Sequence, residues 1–248
     1  MRRLIVVLPA FNEEGNIGTL LDRIDEELTE SALTYKVIVV DDGSTDRTAD
    51  LVTLKAAGLP ILLFRHSQNR GLGPTIRDGL AAAADIAAPS DIIITMDADD
   101  THTPGLILRM VRMIREGHDV VIASRYQPGS RTIGVPLRRR FLSAAASWLF
   151  RVAFPTPGIR DFTCGFRAYR ADVIQSAIRQ YGDRFVDQDG FQCMVDILLK
   201  LRRQPLIFGE VPFLLRYDQK LGGTKMRLLR TSANTLGLLF KRRLGHSR

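Results

Sequence analysis

The chain has little of what builds a secreted scaffold, a membrane span or a dinucleotide enzyme. Its 248 residues hold two cysteines, Cys164 and Cys193. Two are too few for a disulfide framework, and a reducing cytoplasm fits them. No histidine lies near either in sequence, so both are expected as buried thiols rather than nucleophiles. No uninterrupted apolar stretch reaches transmembrane length, so no membrane-spanning helix is predicted. The apolar run after Met1-Arg2-Arg3 is short, lacks a small-residue cleavage site and meets Asn12-Glu13-Glu14 at once. It reads as a first strand rather than a signal peptide. No Gly-x-Gly-x-x-Gly follows that strand, and Gly71-Leu72-Gly73, after the third strand, is one glycine short. Nicotinamide and flavin cofactors are discounted accordingly, and no P-loop is present. Without a helix-turn-helix, zinc or RNP-type motif, nucleic acid is not an expected partner.

What is present is an ordinary globular composition with a basic balance. Apolar residues make up 45%, and 35 Lys and Arg against 27 Asp and Glu leave a net charge of +8. The length allows one large core. The charge points to an anionic partner: a phosphorylated substrate or a membrane surface.

Apolar, β-branched runs at 3–8, 35–40, 61–64, 91–96 and 119–123 read as buried strands. Helical spacing follows between them: Ile17, Leu20, Leu21, Ile24 and Leu28, then an alanine-rich stretch from Gly71 to Ala84, then Leu106, Ile107, Met110, Val111 and Ile114. This alternation predicts βαβ units on a mostly parallel sheet. Ser44 or Thr45 is expected to cap the helix after the second strand. Beyond residue 125 the pattern is less regular. It predicts a loop at 127–136, a helix at 137–154, a short strand or strand-like turn at 161–169, a helix at 189–201 and a strand at 206–212. A polar loop is expected at 218–225 and a basic amphipathic helix at 226–243.

Three strand ends carry acids: Glu13/Glu14, Asp41/Asp42 and Asp97/Asp99. Carboxylates cannot continue unpaired inside a buried strand, so they belong at its open carboxyl end, where parallel sheets bind ligands. Carboxylates there can accept from nucleobase N–H groups and ribose hydroxyls. Two of them one residue apart suit a hard divalent cation that holds a diphosphate. His102, just beyond, is more plausible as a loop histidine than as a metal ligand. Trp148 is expected in core or interfacial packing.

Leu8-Pro9-Ala10-Phe11-Asn12-Glu13-Glu14, Val40-Asp41-Asp42-Gly43-Ser44-Thr45-Asp46, Met96-Asp97-Ala98-Asp99 and Ser124-Arg125-Tyr126 together resemble the motifs of family 2 inverting glycosyltransferases. Later stretches narrow the resemblance to the dolichyl/polyprenyl-phosphate mannosyltransferase branch. They are Asp161-Phe162-Thr163-Cys164-Gly165-Phe166-Arg167-Ala168-Tyr169-Arg170, Gly190-Phe191-Gln192, Gly209-Glu210-Val211-Pro212 and Gly222-Gly223-Thr224-Lys225-Met226. The resemblance implies a glycosyltransferase-A fold, a Rossmann-like, mostly parallel α/β sheet flanked by helices, with C-terminal amphipathic helices. It implies a catalytic domain over 1–226 and an appended basic helix over 227–248. It further implies metal-dependent, inverting transfer of a hexose from a nucleotide sugar to a polyprenyl monophosphate, with mannose from GDP-mannose favoured. Position by position, Pro9, Phe11, Glu13, Val40 and Asp42 would line the nucleoside pocket. Asp97, Ala98 and Asp99 would meet the diphosphate and a Mg²⁺ or Mn²⁺ ion, held by Asp97 and Asp99. Arg125, Arg216 and Lys225 would clamp phosphates. Arg139 and Ser143 would meet the acceptor phosphate.

The chain departs from that pattern in places. Phe11 replaces a common tyrosine and Cys164 a common serine. Phe191-Gln192-Cys193-Met194 lacks the glutamate of Phe-Gln-x-Glu, and the pattern leaves open whether Asp189 or Asp196 replaces it. Thr101 stands where some relatives have a third metal-ligating side chain. A phosphate monoester is largely anionic at neutral pH, its second pKa being about 6, so such an acceptor needs no strong base. The alternatives are a soluble glycosyltransferase with a hydroxyl acceptor, a UDP-glucose-dependent polyprenyl-phosphate glucosyltransferase, and an idle nucleotide-sugar-binding subunit. The basic amphipathic segments at 138–154 and 226–243 suit anionic headgroups. They predict a peripheral protein on the cytoplasmic face of a membrane, with room for a separate membrane-protein partner.

Overall fold

A computed structural model of the chain describes residues 2–216, apart from the side chains of 137–140 and 142. The first strands are where the apolar runs place them: β1 (Leu4–Ala10), β2 (Tyr35–Asp41), β3 (Ile61–Arg65), β4 (Ile92–Thr95) and β5 (Val120–Ser124). Ile92, Ile93 and Ile94 are fully buried, as an apolar strand covered on both faces requires. Between them run α1 (Ile17–Glu30), α2 (Thr48–Ala56), α3 (Leu72–Ile86) and α4 (Leu106–Arg115). The buried stripe of α1 is Ile17, Leu20, Leu21, Ile24 and Leu28, and that of α4 is Ile107, Met110, Val111 and Ile114. Both have the three- and four-residue spacing of one helix face.

The second half adds β6 (Arg131–Ile133), α5 (Leu137–Ala153), β7 (Arg167–Arg170), α6 (Ala171–Tyr181), a 3-10 turn at Gly182–Val186, α7 (Cys193–Leu201), β8 (Phe208–Pro212) and β9 (Leu214–Arg216). The seven-stranded sheet has the order β3-β2-β1-β4-β7-β5-β8. Every pairing is parallel except those of β7, which runs antiparallel to both β4 and β5. This reversal positions the site. Thr95 at the end of β4 faces Arg167 at the start of β7, so residues 161–166 arrive at the same sheet edge as the acid-bearing ends of β1, β2 and β4.

Several expectations need correction. The strand within 161–169 begins only at Arg167, because the residues before it turn to serve the site. The loop at 127–136 contains β6, which pairs in parallel with β9; both are three residues long and too short to show a period. The pattern also missed α6, whose Val173, Ile174 and Ala177 pack inward. The helix expected from 189 starts at Cys193. Of the core and interfacial packing expected for Trp148, the core is excluded, since it is 60% exposed. The polar loop at 218–225, the helix at 226–243 and the boundary at 226/227 lie outside the described residues.

Candidate active site

The loops after β1 and β2 clasp each other. Asn12 sits in the left-handed region at φ 52, which asparagine tolerates better than most residues. Its backbone N–H donates to Ser44 Oγ at 2.9 Å, and its own Oδ1 accepts from Thr45 N–H at 2.9 Å. Glu13 N–H donates to Thr48 Oγ1 at 2.8 Å. Ser44 is thus part of this clasp rather than a helix cap, and Asp46 Oδ1 takes the Thr48 N–H at 3.0 Å. The clasp leaves Pro9 and Phe11 half-buried at the rim, with Glu13 nearly covered. Glu13 Oε2 accepts from Asn16 Nδ2 at 2.8 Å. Val40 is fully buried, its side chain turned toward Gly79 of α3.

Asp42 ties the β2 end to the loop before α3. Its Oδ1 accepts from Arg70 N–H at 2.9 Å and lies 2.7 Å from His66 Nδ1, and its Oδ2 accepts from Gly71 N–H at 2.8 Å. The other His66 nitrogen lies 3.1 Å from Asp78. A carboxylate has about four lone-pair sites. Three are used here, which leaves one for a nucleoside N–H or hydroxyl. Gly71 and Gly73 form a packing turn rather than a phosphate cradle. Gly73 N–H donates to the Asp189 carbonyl at 2.9 Å, and a Cβ on Gly73 would overlap the Gln188 carbonyl oxygen.

After β4, Asp97 and Asp99 are partly exposed, while Ala98 between them is buried. Each carboxylate has its own brace. Thr101 Oγ1 donates to Asp99 Oδ1 at 2.7 Å. His102 Nδ1 accepts from Asp97 N–H at 3.3 Å, which puts the ring proton on Nε2, 3.6 Å from Asp97 Oδ2. The His102 ring is buried, stacked on Phe166 at 5.1 Å and edge-on to Phe213. It therefore orients Asp97 and is not placed as a metal ligand. Asp100, at φ 55, turns away and pairs with Arg23 at 2.6 Å.

Among the described residues no group of three or more His, Cys, Asp or Glu converges to hold a metal. Two carboxylates nonetheless suit Mg²⁺, which keeps waters and takes remaining ligands from substrate phosphates. The donor set fits Mg²⁺ or Mn²⁺ on a diphosphate.

The residues from the second half are braced differently. Arg125, just past β5, is gripped by Asp161: Nε to Oδ2 at 2.7 Å and Nη2 to Oδ1 at 2.8 Å. Its Nη2 also donates to Thr163 Oγ1 at 2.5 Å. Burial pushes the Asp161 carboxyl up, but the Arg125 charge and hydrogen bonds overturn this and hold it below the usual carboxylate range. Glu210 of β8 supports the pair from behind, its Oε1 accepting from Arg160 and Asp161 N–H at 2.6 and 2.7 Å. Burial raises the Glu210 carboxyl despite those two bonds. Tyr126 OH donates to Ser143 Oγ of α5 at 3.0 Å. Arg216 ends β9, and its backbone N–H reaches the Thr101 carbonyl at 3.2 Å, two residues beyond Asp99. The structure thus brings the Arg216 backbone beside the loop that carries the acid pair. Lys225 and the Arg139 side chain lie outside the described residues.

Of the two substitutes for the missing glutamate, Asp189 is exposed, its backbone carbonyl accepting from Gly73 N–H at 2.9 Å. Asp196 is fully buried inside α7 and ion-paired with Lys200 one turn on, at 2.6 Å. Met194 itself lines a cavity of about 40 Å³ with Pro9, Leu72, Ile76, Met96, Asp97, Thr163, Gly165 and Phe191. Cys164 and Cys193 are buried, as expected, and burial pushes both thiols up to about 12, which leaves them unreactive. The braces His66, His102, Asp161 and Glu210 carried no signal of their role in sequence. Asp161 and Glu210 stood within motifs, but their partners are 36 to 50 residues away.

A parallel sheet with one reversed strand, and an Asp-x-Asp pair at its carboxyl edge, defines a glycosyltransferase of the GT-A type. The family model for glycosyl transferase family 2 matches residues 5–177, and the chain belongs to that family. A dolichol-phosphate mannosyltransferase of Pyrococcus furiosus is 31% identical over 85% of this chain, which spans 56% of that protein's length. An undecaprenyl-phosphate mannosyltransferase of Micrococcus luteus is 30% identical over 90% of this chain and 87% of its own. A polyprenol monophosphomannose synthase of Mycolicibacterium smegmatis is 29% identical over 91% of this chain and 81% of its own. Among solved structures, glucosyl-3-phosphoglycerate synthase of Mycobacterium tuberculosis, in complex with Mn²⁺, UDP and glucosyl-3-phosphoglycerate, superposes with a TM-score of 0.70. It is 21% identical, covers 98% of this chain and 80% of its own, and shares the fold.

Proposed function

We propose that the enzyme transfers a hexose from a nucleoside-diphosphate sugar to a polyprenyl monophosphate with inversion at the anomeric carbon, and that mannose from GDP-mannose is the favoured donor. One observation carries this reading: where the family motif has a glutamate, Met194 lies at the cavity beside Asp97, and Asp196, fully buried and paired with Lys200, does not take its place. A hydroxyl acceptor needs a base to remove its proton, whereas a phosphate monoester arrives anionic. The names of the three relatives support the same acceptor class and the mannosyl group.

In this reading Pro9, Phe11, Glu13 and Asp42 form the nucleoside pocket, with fully buried Val40 packed behind it toward α3 rather than lining it, and Asp97 and Asp99 hold Mg²⁺ or Mn²⁺ against the diphosphate. The bound cation supplies charge neutralisation for the departing nucleoside diphosphate. Arg216 and Lys225 add charge-assisted hydrogen bonds to the same group. Arg125, preset by Asp161, meets the acceptor phosphate together with Arg139 and Ser143. Apolar residues of α5 face outward: Phe141 is 82% exposed, Trp148 60% and Val152 59%. Their spacing puts them on one side of the helix, and an amphipathic helix of this kind lies in a bilayer surface. No helix among the described residues is long and apolar enough to cross a membrane. The protein would sit peripherally on the cytoplasmic face, alone or beside a membrane-protein partner.

The test is incubation with Mg²⁺ or Mn²⁺, a short polyprenyl phosphate and each nucleotide sugar in turn. A lipid-linked hexose, formed best from GDP-mannose, is expected. Donor consumption with only water-soluble glycoside as product would overturn the acceptor assignment.

A further inference from the structure

Three carboxylates meet where the end of β2, the loop after β3 and α3 come together, and two of them have arginine partners. Arg65 lies 3.1 Å from Asp41. Arg70 and Arg77 take the two oxygens of Asp78, on α3, at 2.9 and 3.0 Å. Among the described residues Asp42 has no arginine or lysine partner, and the side chain beside it is His66. That ring is pinned between the elements. The His66 backbone N–H donates to the Asp41 carbonyl at 2.9 Å. Its Nδ1 lies 2.7 Å from Asp42 Oδ1, and its Nε2 lies 3.1 Å from Asp78 Oδ2. The His66 side chain is 9% exposed and that of Asp42 5%, so protein groups rather than water satisfy the contact between them.

Both ring nitrogens thus face carboxylate oxygens, which when ionised only accept. A neutral imidazole has one N–H and can serve one of them, whereas the imidazolium serves both. When the ring gives up a proton, the lone pair of one nitrogen is left facing a carboxylate oxygen. Asp78 is not free to retreat, because Arg70 and Arg77 hold it. Asp42 is not free either, because it holds the Arg70 and Gly71 N–H groups. The ring must therefore turn, and the buried Asp42 charge loses its counter-ion. Asp42 is the carboxylate placed in the nucleoside pocket, so both its pose and the positive charge beside it act on an anionic nucleotide. The arginines keep their charge throughout. Histidine is the side chain that exchanges a proton near neutral pH.

We propose that His66 is a positioning residue of the nucleotide site: charged, it donates to Asp42 and Asp78 together and fixes the Asp42 carboxylate for the nucleoside, and nucleotide binding weakens when the ring gives up its proton. The proposal rests on the reading that Asp42 lines the nucleoside pocket and adds the residue that sets its charge and pose.

The experiment is calorimetric titration of the full chain with GDP and, separately, UDP, each with Mg²⁺ and without acceptor, between about pH 6 and 8.5. The wild type is expected to bind about 10-fold more weakly at the upper end, the scale of one hydrogen bond to a charged group. The nucleotide phosphate titrates as well, so each variant is read against wild type with the same nucleotide. His66→Gln should remove that extra pH dependence and bind at every pH about as wild type does at the upper end. Asp78→Asn keeps the ring but takes away one of the two carboxylates that favour its charged form, so the fall in affinity should move to lower pH. Thermal melts confirm that each variant is folded at the titration temperature. Should His66→Gln not fold, Asp78→Asn, at a partly exposed position, carries the test alone. A His66→Gln profile that is weakened evenly and runs parallel to wild type overturns the proposal while leaving the pocket reading intact. So does an Asp78→Asn profile that coincides with wild type. Binding of neither nucleotide by the wild type at any pH overturns the nucleoside pocket itself, and this inference with it.

Discussion

The two sides of the site are held in contrasting ways. On the side proposed to take the donor, carboxylates grip backbone N–H groups of neighbouring loops: Asp42 holds the turn at 70–71, and Glu14 and Asp46 hold each other's strand-end loops. On the side proposed to take the acceptor, Arg125 is fixed by a fully buried carboxylate, which is in turn fixed by Glu210 from another strand. The donor side is a set of short polar loops on a parallel sheet. The acceptor side is a stack of buried charges reached only because β7 runs backwards. The first arrangement can yield locally when a nucleotide enters. In the second, removing either Arg125 or Asp161 leaves the other's charge uncompensated.

The largest expected effect breaks the donor side at its chemistry. Asp99→Asn removes one of the two carboxylates proposed to hold the diphosphate cation. At saturating Mg²⁺ or Mn²⁺ its turnover is expected to fall by about 10³-fold, the scale of losing a key group that meets transition-state charge. Thermal stability should stay near wild type, because Asp99 is partly exposed and braced only locally by Thr101. Near-normal turnover would remove Asp99 from the metal site.

Asp161→Asn tests the acceptor side and should reverse that pattern. Breaking a buried pair by removing one partner costs about 3–5 kcal/mol. In a domain of this size that is roughly 6–20 °C in Tm. The substitution also leaves Arg125 free to swing, so acceptor KM should rise. A Tm within 2 °C or so of wild type would show that Asp161 is not the support it is taken to be.

The same pair sets an acid limit. The Asp161 carboxyl lies below its ordinary range in the folded protein, so its stabilising contribution is present above the unfolded carboxylate pKa of about 4 and is lost as pH falls through the lower folded value. The Glu210 carboxyl is shifted the other way. Its contribution is present at low pH and lost as pH rises through its raised folded value. Urea unfolding followed across the acid range should therefore show Asp161→Asn flattening the low-pH loss, with Glu210→Gln flattening the opposite slope above it. Parallel curves for wild type and both variants would contradict these assignments.

The contrast between the sides also explains what could be read from sequence. The strands 4–10, 35–41 and 92–95 announced themselves as apolar runs, and their acids had to lie at the rim because a buried strand cannot hold them. Nothing comparable marks Asp161, whose partner is 36 residues earlier, or Glu210, which supports it from 49 residues later. Asp196 looked like a catalytic substitute because sequence spacing does not reveal that α7 is buried on all sides. In such a helix a carboxylate must find an internal cation, and Lys200 supplies it four residues on. Trp148 shows the converse: of the core and interfacial packing expected for it, its exposure excludes the core alone. Its helical spacing with Phe141 and Val152 is real, but that face turns to the outside. Periodicity locates an apolar face without saying what covers it.

That outward face gives the smallest expected effect. The chain has one tryptophan, so its fluorescence reports on α5 alone. Trp148 is 60% exposed, and Arg151 and Val152 beside it are also exposed. On vesicles containing anionic lipid at low salt, its emission should shift to the blue and the protein should float with the lipid. Phe141→Ser should weaken flotation several-fold yet change stability by less than about 0.5 kcal/mol, as expected for a surface substitution that opens no cavity. Added salt should weaken the attraction further, because exposed charges are screened within about 10 Å at 0.1 M. Asp161→Asn offers the complementary control: it should destabilise the fold without altering vesicle binding measured below its melting range. Were Phe141→Ser to float as well as wild type with no difference in emission, α5 would not be the membrane-facing element, and the lipid would have to approach from another side of the site.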